Sequence, residues 1–493
     1  MVPASAWMFL ILLASFQSVG SADSDRGTSE REEQPSSESL PLPNLPDVGP
    51  LFLTKYINEC KYDEAKIRSE VSLFRSVNAT AYSGYITVNE SMNSNLFFLF
   101  IVSEGNKSDD PVVLWTQGGP GLSSLFGQFL QNGPLKFQLP SNLTKRDNTL
   151  QKHANMIYLD VPVGAGFSYT KDLRGYSQSM DNIIEHVLEF LRQFFLLFSE
   201  YQNRPFYLAG ESYGARYSVA VANALLNNKD KLPLKLEGVI GGNGFLGPIT
   251  DIADSSKFLY QVSMLTADGL ASFEQRFKEI KESEKTNPPK ALQLLFSTIF
   301  TSTNKSTPTL FQSLTMFNDH ASPLHTERPR LMLACYYFLN TDDIKKEFHV
   351  GLNATFEFNN ENLQKSLLLD WLADISEPMR NVLNNLRVLL YFGQIDALFP
   401  SVNQRMYMKT FEWTYAAKYR STSRCAYKPN AYYYGNAGYL KQFHKFAEAV
   451  LLGMSHYGAV DKPDEVYYLM MQFINKTLIC PADSSSPNQL TEN

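Results

Sequence analysis

The chain has 493 residues, 44 % of them hydrophobic, and a net charge of −6. That length is large for one domain yet within reach of an α/β domain carrying insertions, and the apolar share supports a large core. No basic run, nucleic-acid motif or internal repeat is present, which removes polyanion binding and repeat architectures from consideration.

From the start of the chain, residues 1–22 hold an apolar run from Trp7 to Phe16, followed by the small residues Gly20, Ser21 and Ala22. The run is too short to cross a bilayer. It has the layout of a secretory signal peptide, without the usual early lysine or arginine. Residues 23–47, rich in Ser, Glu and Pro, read as a disordered linker, and 483–493 as a disordered tail. No later apolar run is long and unbroken enough for a membrane helix.

The first strand-like run is "NLFFLFIV" at 95–102, and "PVVLWT" at 111–116 and "NMIYLDV" at 155–161 follow it. Next comes an amphipathic helix from Met180 to Tyr201, with Ile183, Val187, Phe190, Leu191 and Phe194 at helical spacing. Two further strands are expected at 205–210 and 236–242, with a helix over 215–228 between them. Residues 251–375 change character: charged helical stretches, a Ser/Thr-rich piece and few strand-like runs. They read as a helical cap inserted between two parts of one core, 48–250 and 376–482. Strands resume at 387–393 and 448–454. Nearly continuous apolar strands fit a sheet covered on both faces, and their alternation with helices predicts a mostly parallel one.

Four cysteines, Cys60, Cys335, Cys425 and Cys480, permit two disulfides in any of three pairings. Seven Asn-x-Ser/Thr sites, at Asn78, Asn89, Asn106, Asn142, Asn304, Asn353 and Asn475, predict a glycosylated surface on a chain with a signal peptide.

The chemistry centres on Gly210-Glu211-Ser212-Tyr213-Gly214, between an expected strand and an expected helix. In that context Gly-x-Ser-x-Gly is a nucleophile elbow, which exposes the serine hydroxyl above the sheet. A plain strand-to-helix turn is the alternative. On such a fold the acid and the base follow the serine in that order. Asp396 lies just past the strand 387–393, where a capping turn aspartate is the competing reading. Only His444 and His456 come later. His444 sits just before a strand and reads as structural. His456 lies in a loop past the strand 448–454, where a base belongs. The other histidines have no comparable context. The glycine-rich turn after the strand 111–116 brings Gly118 and Gly119 where main-chain amides can approach a substrate, or simply turns the chain.

"GESYGARY", "WTQGGPGLSS", "LDVPVGAGFSY", "YFGQID" and "HYGAVDKP" together resemble the serine carboxypeptidases, in order and spacing, from about residue 50 to 478. "LFLTKYI" and "GYITVNESMNSNLFFLF" are most similar to the vitellogenic-like branch. The resemblance implies an α/β-hydrolase fold, a mostly parallel central sheet flanked by helices, and removal of C-terminal residues from peptides at acidic pH. It implies Ser212 as nucleophile, Asp396 as orienting acid and His456 as base. It further implies an oxyanion hole from the amides of Gly119 and Tyr213, and a grip on the terminal carboxylate by Gln117, Gly118 and Glu211. Two adjacent carboxylates repel unless one is protonated, so Glu211 is expected to be a protonated donor.

Several positions depart from the family pattern. Where relatives carry a second glutamate in a phrase like "FxExGP", this chain has Gln131, a permanent donor expected to widen the pH range of carboxylate binding. Ser455 precedes the expected base in place of glycine, and "YGA" follows it in place of a Val-Pro-like pair. Leu122 replaces a cysteine of many relatives. Tyr213-Gly214-Ala215 replaces the more usual Tyr-Ala-Gly. No metal or cofactor is implied: there is no His-Glu-x-x-His and no clustered Cys/His set. The expected partners are peptide or protein C-termini, with no nucleic acid and no membrane span, in a secreted or lysosomal/vacuolar setting; the resemblance leaves a homodimer open. An acyltransferase or esterase on the same triad, and a non-catalytic scaffold, are the competing functions.

Overall fold

The computed structural model describes residues 49–105, 107–228, 232–304 and 306–480. The expected signal peptide (1–22), linker (23–47), tail (483–493) and the site at Asn106 lie outside the described residues.

The central sheet is built from β1 (Ala81–Asn89), β2 (Ser94–Ile101), β3 (Val112–Thr116), β4 (Asn155–Leu159), β5 (Pro205–Glu211), β6 (Lys235–Gly242), β7 (Arg387–Gly393), β8 (Cys425–Tyr427), β9 (Gly438–Phe443) and β10 (Phe446–Leu451). Their order across the sheet is β1-β2-β4-β3-β5-β6-β7-β10-β9-β8, with the short strand Tyr169–Thr170 paired to β2. The middle, from β4 to β10, is parallel. Both margins are antiparallel.

Every residue of β2 and β3 is buried. Along β2, Leu96, Phe98 and Phe100 pack into the cluster on one face, while Phe97, Leu99 and Ile101 pack into the other. This is the period of two expected of a strand covered on both sides. All seven expected strands are present, and the largest displacement is at β10, which ends at Leu451 because the chain turns away there. The margins β1, β8 and β9 interleave polar residues with apolar ones and are partly exposed, so they carry no continuous apolar run.

Helix α1 (Met180–Leu197) starts where the Ser179 hydroxyl accepts the amide hydrogen bond of Asn182, and its stripe from Ile183 to Phe194 is buried. Phe194 meets Phe100 at 5.1 Å and Phe198 at 4.9 Å between ring centres. Phe194→Ala removes a fully buried ring from this cluster and should cost about 3–5 kcal/mol, read as the loss of unfolding free energy in urea titration. Helix α2 (Tyr213–Asn227) follows β5 with Ser212 alone between them.

Between β6 and β7 the chain is helical. Its longest members are α3 (Ala267–Thr286) and α4 (Pro288–Ile299), joined at Asn287, whose side chain caps α4 by accepting from the Lys290 amide. Cys425 and Cys480 form a disulfide. Cys60 is exposed beside the helix Leu53–Asn58, and Cys335 is buried within Arg330–Leu339, so this pair is unbridged. Among the described glycosylation candidates, Asn78, Asn142, Asn353 and Asn475 are exposed, and Asn89 and Asn304 are half-buried. No helix among the described residues is long and apolar enough to cross a membrane.

Candidate active site

Parallel strands send their C-terminal ends to one rim, and loops leaving that rim converge. β5 delivers Ser212, β7 delivers Asp396 and β10 delivers His456. The turn between β5 and α2 is so tight that Ser212 adopts φ 55°. A serine tolerates this left-handed region only when its surroundings impose it. Two glycines make the turn possible. A Cβ at Gly214 would stand 2.3 Å from the Thr116 carbonyl oxygen, and one at Gly118 would stand 2.6 Å from Ser212 Cβ.

His456 Nε2 lies 3.1 Å from Ser212 Oγ, and His456 Nδ1 lies 2.8 Å from Asp396 Oδ2. Asp396 is 1 % exposed. Its other oxygen accepts the amides of Leu398 and Phe399, each at 2.9 Å. These bonds fix the carboxylate plane and leave Oδ2 for the imidazole. Burial opposes charge on His456, yet the Asp396 carboxylate, with Glu211 and Asp319, outweighs it and raises the imidazole above its usual range. His456 is further held by its own N–H, which donates to the Ala321 carbonyl at 3.1 Å, and by the Phe399 ring against its edge.

Glu211, beside the serine, points away from solvent and is 2 % exposed. Gln131 Nε2 donates to its Oε2 at 2.5 Å, Gln117 Nε2 to the same oxygen at 3.4 Å, and Tyr391 OH to Oε1 at 3.1 Å. Burial pushes the Glu211 carboxyl up to about 7, against the pull of those donors and of His456. Trp115 Nε1 donates to Gln117 Oε1 at 3.1 Å, which turns the Gln117 amide nitrogen toward Glu211. The Gly119 and Tyr213 amides, which flank the serine, donate to no protein acceptor among the described residues. A cavity of about 150 Å³ opens over this rim, walled by Gln117 to Pro120, Glu211, Ser212 and His456 below and by Phe296, Phe300 and Trp371 above.

Sequence reasoning assigned no role to several residues that hold the site. Asp160 accepts from Ser123 Oγ at 2.6 Å, from the Ser124 amide at 2.8 Å and from the Phe167 amide at 2.9 Å, and so ties down the glycine-rich turn. Its signal was its place inside "LDVPVGAGFSY". Asn243 joins the end of β7 to the histidine loop, accepting from the Gly393 amide and donating to the Ser455 carbonyl. Ser455 binds Asp461 through both its amide and its hydroxyl, and Tyr457 OH donates to Asp319 at 2.8 Å. The departures on either side of His456 therefore carry bonds of their own. His320 lines the cavity, and burial holds it well below its usual range, in the neutral form. His444 occupies the turn between β9 and β10 against Tyr415. No cluster of three or more His, Cys, Asp or Glu among the described residues could hold a metal ion.

The model of the serine carboxypeptidase family matches residues 72–476. A venom serine carboxypeptidase of Apis mellifera is 33 % identical over 448 residues, covering 89 % of this chain and 94 % of its own length. A probable serine carboxypeptidase of Homo sapiens is 32 % identical over 442 residues, covering 88 % and 92 %. The vitellogenic carboxypeptidase of Aedes aegypti is 27 % identical over 434 residues, covering 87 % and 91 %. Among solved structures, the prohormone-processing carboxypeptidase Kex1 of Saccharomyces cerevisiae superposes with a TM-score of 0.68 at 18 % identity, over 84 % of this chain and 97 % of that one. That likeness is one of fold, the α/β-hydrolase fold.

Proposed function

The chain belongs to the serine carboxypeptidase family, and from that premise we propose that it removes C-terminal residues from peptides through an acyl-enzyme, working best at acidic pH. The observation that carries this reading is the pairing, in one cavity, of the Ser212–His456–Asp396 line with a buried carboxyl that is neutral in acid.

His456 takes the proton of Ser212 as the hydroxyl attacks the last peptide bond, and Asp396 holds the resulting imidazolium. The amides of Gly119 and Tyr213, without protein acceptors, receive the oxyanion, helped by the N-terminus of α2. The amine departs with the proton from His456, and water repeats the sequence on the acyl-serine. The substrate's terminal carboxylate lies against Gly118 and the side-chain donors Gln117 and Gln131, with Glu211 donating when protonated.

The sign of the pH dependence follows. Below about 7, Glu211 is neutral and donates to the substrate carboxylate; above it, Glu211 is an anion facing another anion, so kcat/KM falls as pH rises. Protonating Glu211 also removes one of the charges that raise His456. Losing that charge draws the imidazole back toward its ordinary range, which extends the neutral base toward the pH at which Glu211 is a neutral acid. Tyr391→Phe removes a donor that favours the Glu211 anion. The alkaline limb of the kcat/KM profile should move up by about 0.5–1 unit, the worth of one net hydrogen bond at 1.36 kcal/mol per unit.

A lumenal or secreted setting is part of the same reading, supported by the Cys425–Cys480 disulfide and the exposed glycosylation candidates. The test is a panel of blocked dipeptides with free or amidated C-termini across pH 4 to 8, with fluorophosphonate labelling of the parent and of Ser212→Ala. Preference for the free acid, strongest in acid, is expected. Equal cleavage of both forms overturns recognition of the terminal carboxylate, cleavage of neither while esters are hydrolysed makes the protein an esterase, and absence of labelling at Ser212 makes it a scaffold.

A further inference from the structure

The cavity over Ser212 has two unlike sides. Phe296, Phe300, Trp371 and Leu398 wall one of them, and the Trp371 ring stacks on Phe245 at 5.3 Å. On the other, the segment 319–328 crosses from the helical insertion to the histidine loop, and Arg328 from this segment lines the cavity. Two bonds hold the crossing: the His456 N–H donates to Ala321, and Tyr457 OH donates to Asp319.

Arg328 hydrogen-bonds Tyr457 and forms no ion pair with a carboxylate among the described residues. Asp319, an acid that feels its charge, has Oδ1 occupied by Tyr457 OH and the Ala321 amide, and burial favours its neutral form. Tyr457 feels the guanidinium directly, and His320 and Tyr336, both of the cavity wall, feel its charge. A half-buried cation therefore lines the cavity, hydrogen-bonded to Tyr457 but with no carboxylate paired to it among the described residues. It is also at one identifiable end. The Tyr457 carbonyl accepts from Gln131, which in turn donates to Glu211, so Tyr457 borders the place where the substrate's terminal carboxylate lies. The side chain of the residue about to be released starts one atom from that carboxylate, which would set it against the Tyr457 and Arg328 wall and turn the preceding residue toward the aromatic side.

We propose that Arg328 is a specificity-determining residue that selects an acidic side chain on the substrate's C-terminal residue, pairing its carboxylate with the guanidinium. This rests on the carboxypeptidase reading above. Arginine suits the task because its planar fork meets a carboxylate through two parallel hydrogen bonds. The cavity excludes part of the screening water, so the pair is worth more than a surface ion pair.

The experiment uses the full chain at pH 5.5, where a glutamate side chain on a peptide is ionised. Blocked dipeptides share one apolar first residue and end in Glu or Gln; a second set carries Glu or Gln first and ends in Leu. The expected kcat/KM for the Glu-terminated peptide exceeds that for the Gln-terminated one by about 10-fold. In Arg328→Gln the ratio falls to near one through loss on the Glu peptide, and Arg328→Lys restores part of it. No such preference appears when the acid is moved to the first residue. A parental ratio near one, a ratio that survives Arg328→Gln, an equal loss on both peptides, or a preference at the first residue would each overturn the assignment. Cleavage of the Gln peptide without preference sinks this inference alone, whereas cleavage of no peptide by the parent protein sinks the carboxypeptidase reading beneath it.

Discussion

Asp396→Asn should lower kcat by about 10⁴-fold while leaving KM for a blocked dipeptide within a few-fold. The reason lies in what the carboxylate does at rest. Oδ1 accepts two amides, from Leu398 and Phe399, and Oδ2 accepts from His456 Nδ1. An asparagine has one oxygen and one NH2 group. The two amide donors demand the oxygen at the first position, which leaves the NH2 facing Nδ1. The imidazole must then present a bare Nδ1 and carry its proton on Nε2, 3.1 Å from Ser212 Oγ. In that tautomer it cannot accept the serine proton, so the chemical step fails although every heavy atom stays in place. Steady-state kinetics with single-turnover controls would read the split between kcat and KM. A loss of less than 10-fold would mean that His456 does not depend on Asp396 and that the three residues do not act as a unit.

How far such reasoning reaches from sequence depends on whether a residue's work is local. The strands β2 to β7 were legible because burial on both faces writes an unbroken apolar run into the chain. Ser212, Asp396 and His456 could be picked out by following strand ends, since parallel strands share a rim. β9 was not legible, because Leu440 packs inward while Lys441 and Gln442 on the same strand are partly exposed. Of the partners of Glu211, Gln131 sits in a recognisable phrase 80 residues before it, whereas the one 180 residues after it is marked by no local pattern. Tyr391 illustrates the point: within "RVLLYFG" it reads as one more core aromatic, and only the fold turns its hydroxyl onto the carboxyl. Arg328 and His320 lie in the inserted segment, where no strand end fixes direction, and their approach to the cavity is settled by tertiary packing alone.

Gln131→Glu should confine activity to more acid conditions, with kcat/KM for a free-acid dipeptide at pH 7 falling about 10- to 100-fold and the value at pH 5 changing little. Gln131 Nε2 supplies two hydrogens, one to Glu211 Oε2 at 2.5 Å and one to the Tyr457 carbonyl at 3.3 Å. A glutamate in its place offers at most one, and only when protonated. Two buried carboxyls at that separation cannot both ionise, so they hold one proton between them and part with the other early. The substrate brings a third carboxylate, and binding it without repulsion then requires both protons to be present. In the parent, one proton on Glu211 suffices, and burial keeps it there up to about 7. The alkaline limb of the variant therefore lies one to two units lower, which is the predicted loss at neutral pH. The change acts on recognition of the terminal carboxylate and not on the triad. Accordingly, a blocked ester without a free carboxylate should show the parent's pH profile in both proteins. Overlaid profiles for the free-acid peptide would show that Gln131 takes no part in carboxylate binding, and would leave Glu211 and Gln117 to bear it alone.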